Sequence, residues 1–178
     1  MRRLKGILSI VLAVAFAFSI FSFDSNAMSA TAEAHRRELT AGEIQTIYSI
    51  FNAKVYAKMY PDVVAELGED EQVLFNHFIT FGIWEQRQPS DAFNVDCYAT
   101  RNLDLRQAYG DDIVAYYIYY ATHQKEQAWR PVPTKWAALW ANTTIYSVYD
   151  FVAGTGLPKE GAIPVQTPNY HPGVEINN

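Results

Sequence analysis

The chain has 178 residues, of which 49% are hydrophobic and 19% charged, with a formal net charge of −5. That balance excludes a disordered, highly charged chain and a broad basic footprint for nucleic acid. The single cysteine excludes an internal disulfide framework and a cysteine-based zinc site.

Met1-Arg2-Arg3-Leu4-Lys5 is a basic start, and an apolar run follows from Ile7 to Phe23, broken only by Ser9, Ser19 and Ser22. Asp24-Ser25-Asn26-Ala27 then places small residues at −3 and −1 of a cut after Ala27. These are the three parts of a secretory signal, so residues 1–27 read as a leader. An uncleaved leader would be the chain's one membrane contact, at the short end of what can span a bilayer. Cleavage removes Arg2, Arg3, Lys5 and Asp24, leaving 11 basic and 18 acidic residues and a net charge of −7. Residues 28–48 form an N-terminal segment, with His35 in a tail.

From residue 49 the chain repeats itself. Phe51-Asn52, Tyr56-Ala57, Asp62 and Gly68 recur as Phe93-Asn94, Tyr98-Ala99, Asp104 and Gly110. Over residues 51–68 and 93–110, six of 18 positions are identical at an offset of 42, where chance gives about one. Beyond the glycine the match continues at 41, pairing Asp70 with Asp111, Val73 with Val114 and Glu85-Gln86 with Glu126-Gln127. It also sets Phe75, Phe78 and Ile79 on Tyr116, Tyr119 and Tyr120. The tandem domain spans 49–130, as copies 51–87 and 93–128.

Each copy reads as short helices. Asn52 and Asn94 are N-caps, Pro61 starts a turn, and Gly68 and Gly110 are left-handed C-caps. Glu69-Asp70-Glu71 and Asp111-Asp112 put negative charge at the next helix start. Leu74, Phe75, Phe78, Ile79 and Phe81 follow at helical spacing until Gly82 closes the helix. Tyr116 to Tyr120 takes the same helical reading by analogy with the first copy.

The first copy contains Phe51-Asn52-x-x-x-Tyr56-x-x-x-Tyr60-Pro61-Asp62-Val63, Leu67-Gly68, Asn76-His77-Phe78 and Gly82-x-x-Glu85-Gln86-Arg87. This resembles a tandem helical repeat, F-[DN]-x-x-Y-Y-x3-Y-P-D…G-x-x-E-G-R, of secreted and cell-surface proteins of Gram-positive gut bacteria. The resemblance covers about residues 50–130 and implies an extracytoplasmic setting without an activity. In the second copy Tyr60-Pro61-Asp62 has become Asn102-Leu103-Asp104, and the closing motif has become His123-x-x-Glu126-Gln127-Ala128, without Gly or Arg.

Residues with chemical capacity have plain architectural readings. His77, matched to Ile118, reads as a packing histidine, and His123 as a helix-end residue. Cys97, matched to Val55, reads as a small buried apolar residue. Asp62 and Asp104 read as helix starts or caps, and the acidic runs lack the alternation of a calcium loop. Catalytic, cofactor and metal residues are therefore none. Trp84, Trp129, Trp136 and Trp140 are the candidate ligand contacts, as rings that could stack on sugars. The competing expectation is that Trp136, Leu139 and Trp140 pack back on the repeats.

Residues 131–178 form a C-terminal extension, partly irregular. Thr134 caps a helix to about Asn142, Thr143 to Val152 is ambiguous between states, and the chain from Gly154 is Gly/Pro/Asn-rich, with His171 in the tail. Leu157-Pro158-Lys159-Glu160-Gly161 lacks the threonine and apolar tail of a sortase signal.

The expected fold is all-α: two short-helix repeats of about 42 residues packed side by side, with an irregular Pro/Gly-rich tail. The expected function is a secreted, non-enzymatic binding or spacer module at the bacterial cell surface, needing no cofactor. Its expected partner is a cell-surface protein or a cell-wall glycan, with a glycan-binding module as the alternative and a small secreted hydrolase after it.

Overall fold

The computed structural model describes residues 28–167, so the leader and His171 lie outside the described residues. The described chain is helical, with isolated β-bridges and no named strand. It falls into two compact units, one ending at Ser90 and one beginning at Asp91.

The first unit opens with α1 (Ala30–His35) and α2 (Ala41–Tyr48). A reciprocal capping box starts α2: Thr40 Oγ1 accepts from Glu43 N–H, and Glu43 accepts from Thr40 N–H. Arg37 adds a two-point ion pair to Glu43. Three helices follow: α3 (Ala53–Met59), α4 (Pro61–Leu67) and α5 (Glu71–His77). Asn52 caps α3 through Val55 N–H, Pro61 occupies the first turn of α4, Gly68 closes it at φ 77°, and Asp70 caps α5 through Gln72 and Val73 N–H. The core forms around Phe51, whose ring lies 5.2 Å from Tyr56, 5.2 Å from Phe75 and 5.4 Å from Phe78. Burying an aromatic side chain of this size contributes about 2–3 kcal/mol, so this cluster and buried Leu74, Ile83 and Trp84 hold the unit together.

Gly82 does not end a helix in the left-handed conformation. α5 runs directly into a π-helical turn, Phe78–Gly82, and the left-handed residue is Gln86, at φ 59°. Gly82 is needed for space: a Cβ there would lie 2.7 Å from the Tyr56 hydroxyl and 2.9 Å from the Phe78 ring.

The second unit is built from α6 (Val95–Arg101), α7 (Leu103–Tyr109), α8 (Ile113–Thr122), a 3₁₀ turn Glu126–Ala128, α9 (Lys135–Trp140) and a second 3₁₀ turn Val148–Asp150. Asn94 caps α6 through Cys97 N–H, Gly110 closes α7 at φ 55°, and Asp112 caps α8 through Ala115 N–H. Phe93 is the ring at the centre here, 5.2 Å from Tyr98, 5.2 Å from Tyr117 and 4.3 Å from Tyr120.

These contacts correct the register drawn from sequence. Phe75 and Phe78 correspond to Tyr117 and Tyr120, and cap Asp70 to Asp112, so the offset stays at 42 through the third helix. The residue is lost later, where the first unit has its π turn and α8 has none; a π turn accommodates one extra residue in a helix. His77 therefore matches Tyr119, not Ile118. Thr143 to Val152 is neither a helix nor a strand; it holds an isolated Ile145–Gln166 bridge and the Ser147-capped 3₁₀ turn.

Candidate functional site

α9 begins where Thr134 Oγ1 accepts from Ala137 N–H at 3.1 Å. Its approach is pinned on both sides, by Asn94 N–H donating to the Pro133 carbonyl at 2.7 Å and Arg101 donating to the Val132 carbonyl at 2.7 Å. Helical spacing then separates two faces. Ala138 turns inward and is fully buried in a cluster with Cys97 and Ile145. Trp136 and Trp140, four residues apart, turn outward.

They are 67% and 74% exposed, their ring centroids 5.6 Å apart in an edge-to-face arrangement. Leu139 is partly exposed, so the expectation that Trp136, Leu139 and Trp140 pack inward is overturned. One six-residue helix has only one inner edge, and Ala138 occupies it. Trp129, after the first 3₁₀ turn, is 73% exposed. Trp84 is 2% exposed and is removed from the candidate contacts, because it is part of a core. Three of the four tryptophans are thus open to solvent, and two form a paired surface.

The titratable side chains have structural partners instead. His77 is buried, with Nδ1 3.0 Å from the Tyr56 hydroxyl, and burial lowers its pKa to about 4, so the ring is neutral at ordinary pH. Burial likewise raises the Cys97 thiol to about 11, leaving it protonated and unreactive. His123 ends α8, its ring stacked on Tyr119 at 3.9 Å and its Nδ1 3.1 Å from the Tyr119 carbonyl.

Asp62 and Asp104 lie in the first turns of α4 and α7, helix starts rather than caps. The cap positions are Tyr60 and Asn102, neither with a side-chain cap bond, and the two carboxylates each receive an arginine fork. Arg87 donates to Asp62 at 3.0 and 3.4 Å and to Glu85 at 2.6 Å. Arg130 donates to Asp104 at 2.8 and 3.1 Å and to Glu126 at 3.4 Å. Arg130 thus stands toward Asp104 as Arg87 stands toward Asp62, four residues after its glutamate rather than two. These arginine bonds hold both aspartates below the usual carboxylate range.

The support beneath the arginine has moved. Arg87 lies over the Tyr60 ring at 4.8 Å, whereas Arg130 lies over Tyr119 at 5.0 Å and bonds the Asn102 amide oxygen at 2.8 Å. Exchanging Tyr60 for Asn102 and His77 for Tyr119 shifts the aromatic platform from the helix junction to the third helix. The exchange also costs Tyr98 the histidine that serves Tyr56. Its hydroxyl is buried without a well-formed hydrogen bond, beside a Gln127 side chain whose oxygen is also unsatisfied.

Asp96 is the acid in the first turn of α6. It lies buried on α6, and its Oδ1 accepts from Val148 N–H at 2.8 Å. Burial raises its pKa to about 7 against the opposing effects of that bond and Lys135. An acid between two apolar residues gives no sign in the sequence that a later segment will cover it.

Among the described residues, no group of three or more His, Cys, Asp or Glu is placed to hold a metal ion, and no helix is long and apolar enough to cross a membrane. No family model, curated protein or solved structure matches the chain.

Proposed function

We propose that the protein is a secreted, non-enzymatic binding module of the bacterial cell surface, built from two copies of one helical unit. The outward pair Trp136 and Trp140 is its contact surface. The carrying observation is that pair's exposure on a helix whose opposite side is anchored in the core. Leaving two indoles in water forgoes several kcal/mol of burial, and tryptophans are the side chains that most often dominate a binding surface. The shared caps, Phe-centred ring clusters and Arg–Asp clasps support the reading of two copies, and they assign those residues to architecture. The basic start and apolar run support export.

A second reading makes the partner a cell-wall glycan, favoured by the accessible faces of two adjacent indoles. Sedimentation with isolated Gram-positive cell envelopes tests both readings. The protein lacking residues 1–27 is expected to pellet, and Trp136→Ala/Trp140→Ala to stay in solution with an unchanged circular dichroism spectrum. Protease-stripped envelopes retain binding if the partner is glycan and lose it if the partner is protein. Equal pelleting of variant and wild type, or no pelleting of either, refutes the proposal.

A further inference from the structure

Trp129, Val132, Trp136, Leu139 and Trp140 are all exposed, within one short stretch of the second unit. On α9, residues 136, 139 and 140 share a face, being three and four residues apart. Lys135 is exposed on the same helix, four residues before Leu139. The paired indoles are set at 76° to each other, so together they form a wedge rather than one flat platform. A contiguous apolar surface of this kind marks an interaction with a protein or a membrane.

The charges around it favour one of these. No Asp or Glu occurs from Gln127 to Tyr149, although the chain from residue 28 carries 18 acids against 11 bases. Within that stretch, Arg130 is clasped by Asp104 and Glu126, and Lys135 adds a positive charge beside the indoles. Arg101 bonds a neutral acceptor, the Val132 carbonyl, and so brings a further positive charge to the approach of α9. An anionic surface repels a chain of net charge −7 over most of its length, and the acid-free stretch is the part it admits.

We infer that α9 and its approach dock on an anionic lipid bilayer, with Trp136, Leu139 and Trp140 seated among the headgroups and Lys135 at the level of the phosphates. This rests on the proposed contact surface and names its partner. Indole rings settle at the headgroup level, the apolar body inward and the N–H toward water. A lysine stem runs along apolar surface while its ammonium reaches the phosphates. A helix bound in this way lies in the plane of the membrane with its apolar face about 5–10 Å deep. Six residues suffice for that, since nothing has to be spanned. A chain exported as proposed also emerges at the outer face of the membrane it has crossed. The contact does not depend on residues 1–27.

The probe is a vesicle of equal parts phosphatidylglycerol and phosphatidylcholine, titrated into the chain lacking residues 1–27 in low salt. Saturable binding is expected, with a blue shift of tryptophan emission and quenching by lipids brominated on their acyl chains. Vesicles of phosphatidylcholine alone should bind at least tenfold more weakly. Trp136→Ala/Trp140→Ala is expected to weaken binding at least tenfold and to remove most of the quenching. Leu139→Ser, which leaves both indoles in place, should show a smaller, severalfold loss. Lys54→Gln/Lys58→Gln, in the first unit, should leave binding unchanged; an equal loss there would mean adsorption by general charge and would overturn the inference. Vesicle binding that the tryptophan variant retains overturns it too. Tryptophan-dependent pelleting with envelopes, without any binding to vesicles, overturns the lipid assignment alone and leaves a protein or a glycan as the occupant of the contact surface.

Discussion

Asp96 holds a carboxyl group beneath the segment that follows α9, and its chemistry gives this unit a pH dependence of definite sign. Its folded pKa, raised to about 7 by burial, lies above the unfolded value near 4. The folded state therefore binds more protons than the unfolded state between those values. The contribution is full below about pH 4 and is lost as pH rises through 7. Asp96→Asn keeps the oxygen that receives Val148 N–H and removes the charge. In thermal melts at pH 5 and pH 8, the variant's advantage is expected to grow with pH, reaching on the order of 1–3 kcal/mol at pH 8. Parallel pH profiles would contradict this. Asp62 and Asp104 act in the opposite sense: their lowered pKa values give stability that is present above about pH 4 and lost in acid. Their carboxylates are 62% and 60% exposed, so the coupling is modest despite good geometry. A double-mutant cycle between Arg130 and Asp104 in urea is expected to give about 0.5–1 kcal/mol. Removing Arg130 alone costs more, since its guanidinium also lies over the Tyr119 ring.

At the scale of the helix, local chemistry was readable and long-range chemistry was not. Asn52, Asn94, Asp70, Asp112, Thr134, Gly68 and Gly110 act where their sequence neighbourhood puts them, because a cap answers only to the adjoining helical turn. The Thr40…Glu43 box, within the N-terminal segment, is the same kind of local signal. The Arg–Asp clasps join residues about 25 apart, and nothing near Asp62 announces Arg87. The π turn was hidden too, since Gly82 has the look of a helix stop while its function is to admit the Tyr56 hydroxyl. Three glycines separate these roles. Gly42 lies inside α2 with open space around it, and Gly42→Ala is expected to stabilise by about 0.5–1 kcal/mol. Gly82→Ala should destabilise by about 1–3 kcal/mol through overpacking. Gly110→Ala should lose at least as much, because it combines φ 55° with the collision against Ala153. Denaturant midpoints rank the three, and a destabilising Gly42→Ala or a neutral Gly110→Ala would contradict the packing described.

At the scale of the whole chain, the all-α class followed from periodicity and punctuation, but the fate of the tryptophans did not. Trp84 follows Phe81-Gly82-Ile83 and Trp136 follows Pro133-Thr134-Lys135, and the path of the backbone buries one and exposes the other. Helical spacing defines a face without saying whether that face turns inward; in α9 it is Ala138, one of its two alanines, that is buried. His77, Cys97, Asp62 and Asp104 are held in clasps and cores, and the proposed recognition rests on the exposed indoles. Hydrogen exchange, with the protein free and bound to isolated cell envelopes, tests this directly. Protection is expected to rise in residues 129–142, around the paired indoles, while the amides beside His77 and Cys97 are unchanged. Protection that rises beside His77 or Cys97 and spares α9 would contradict it.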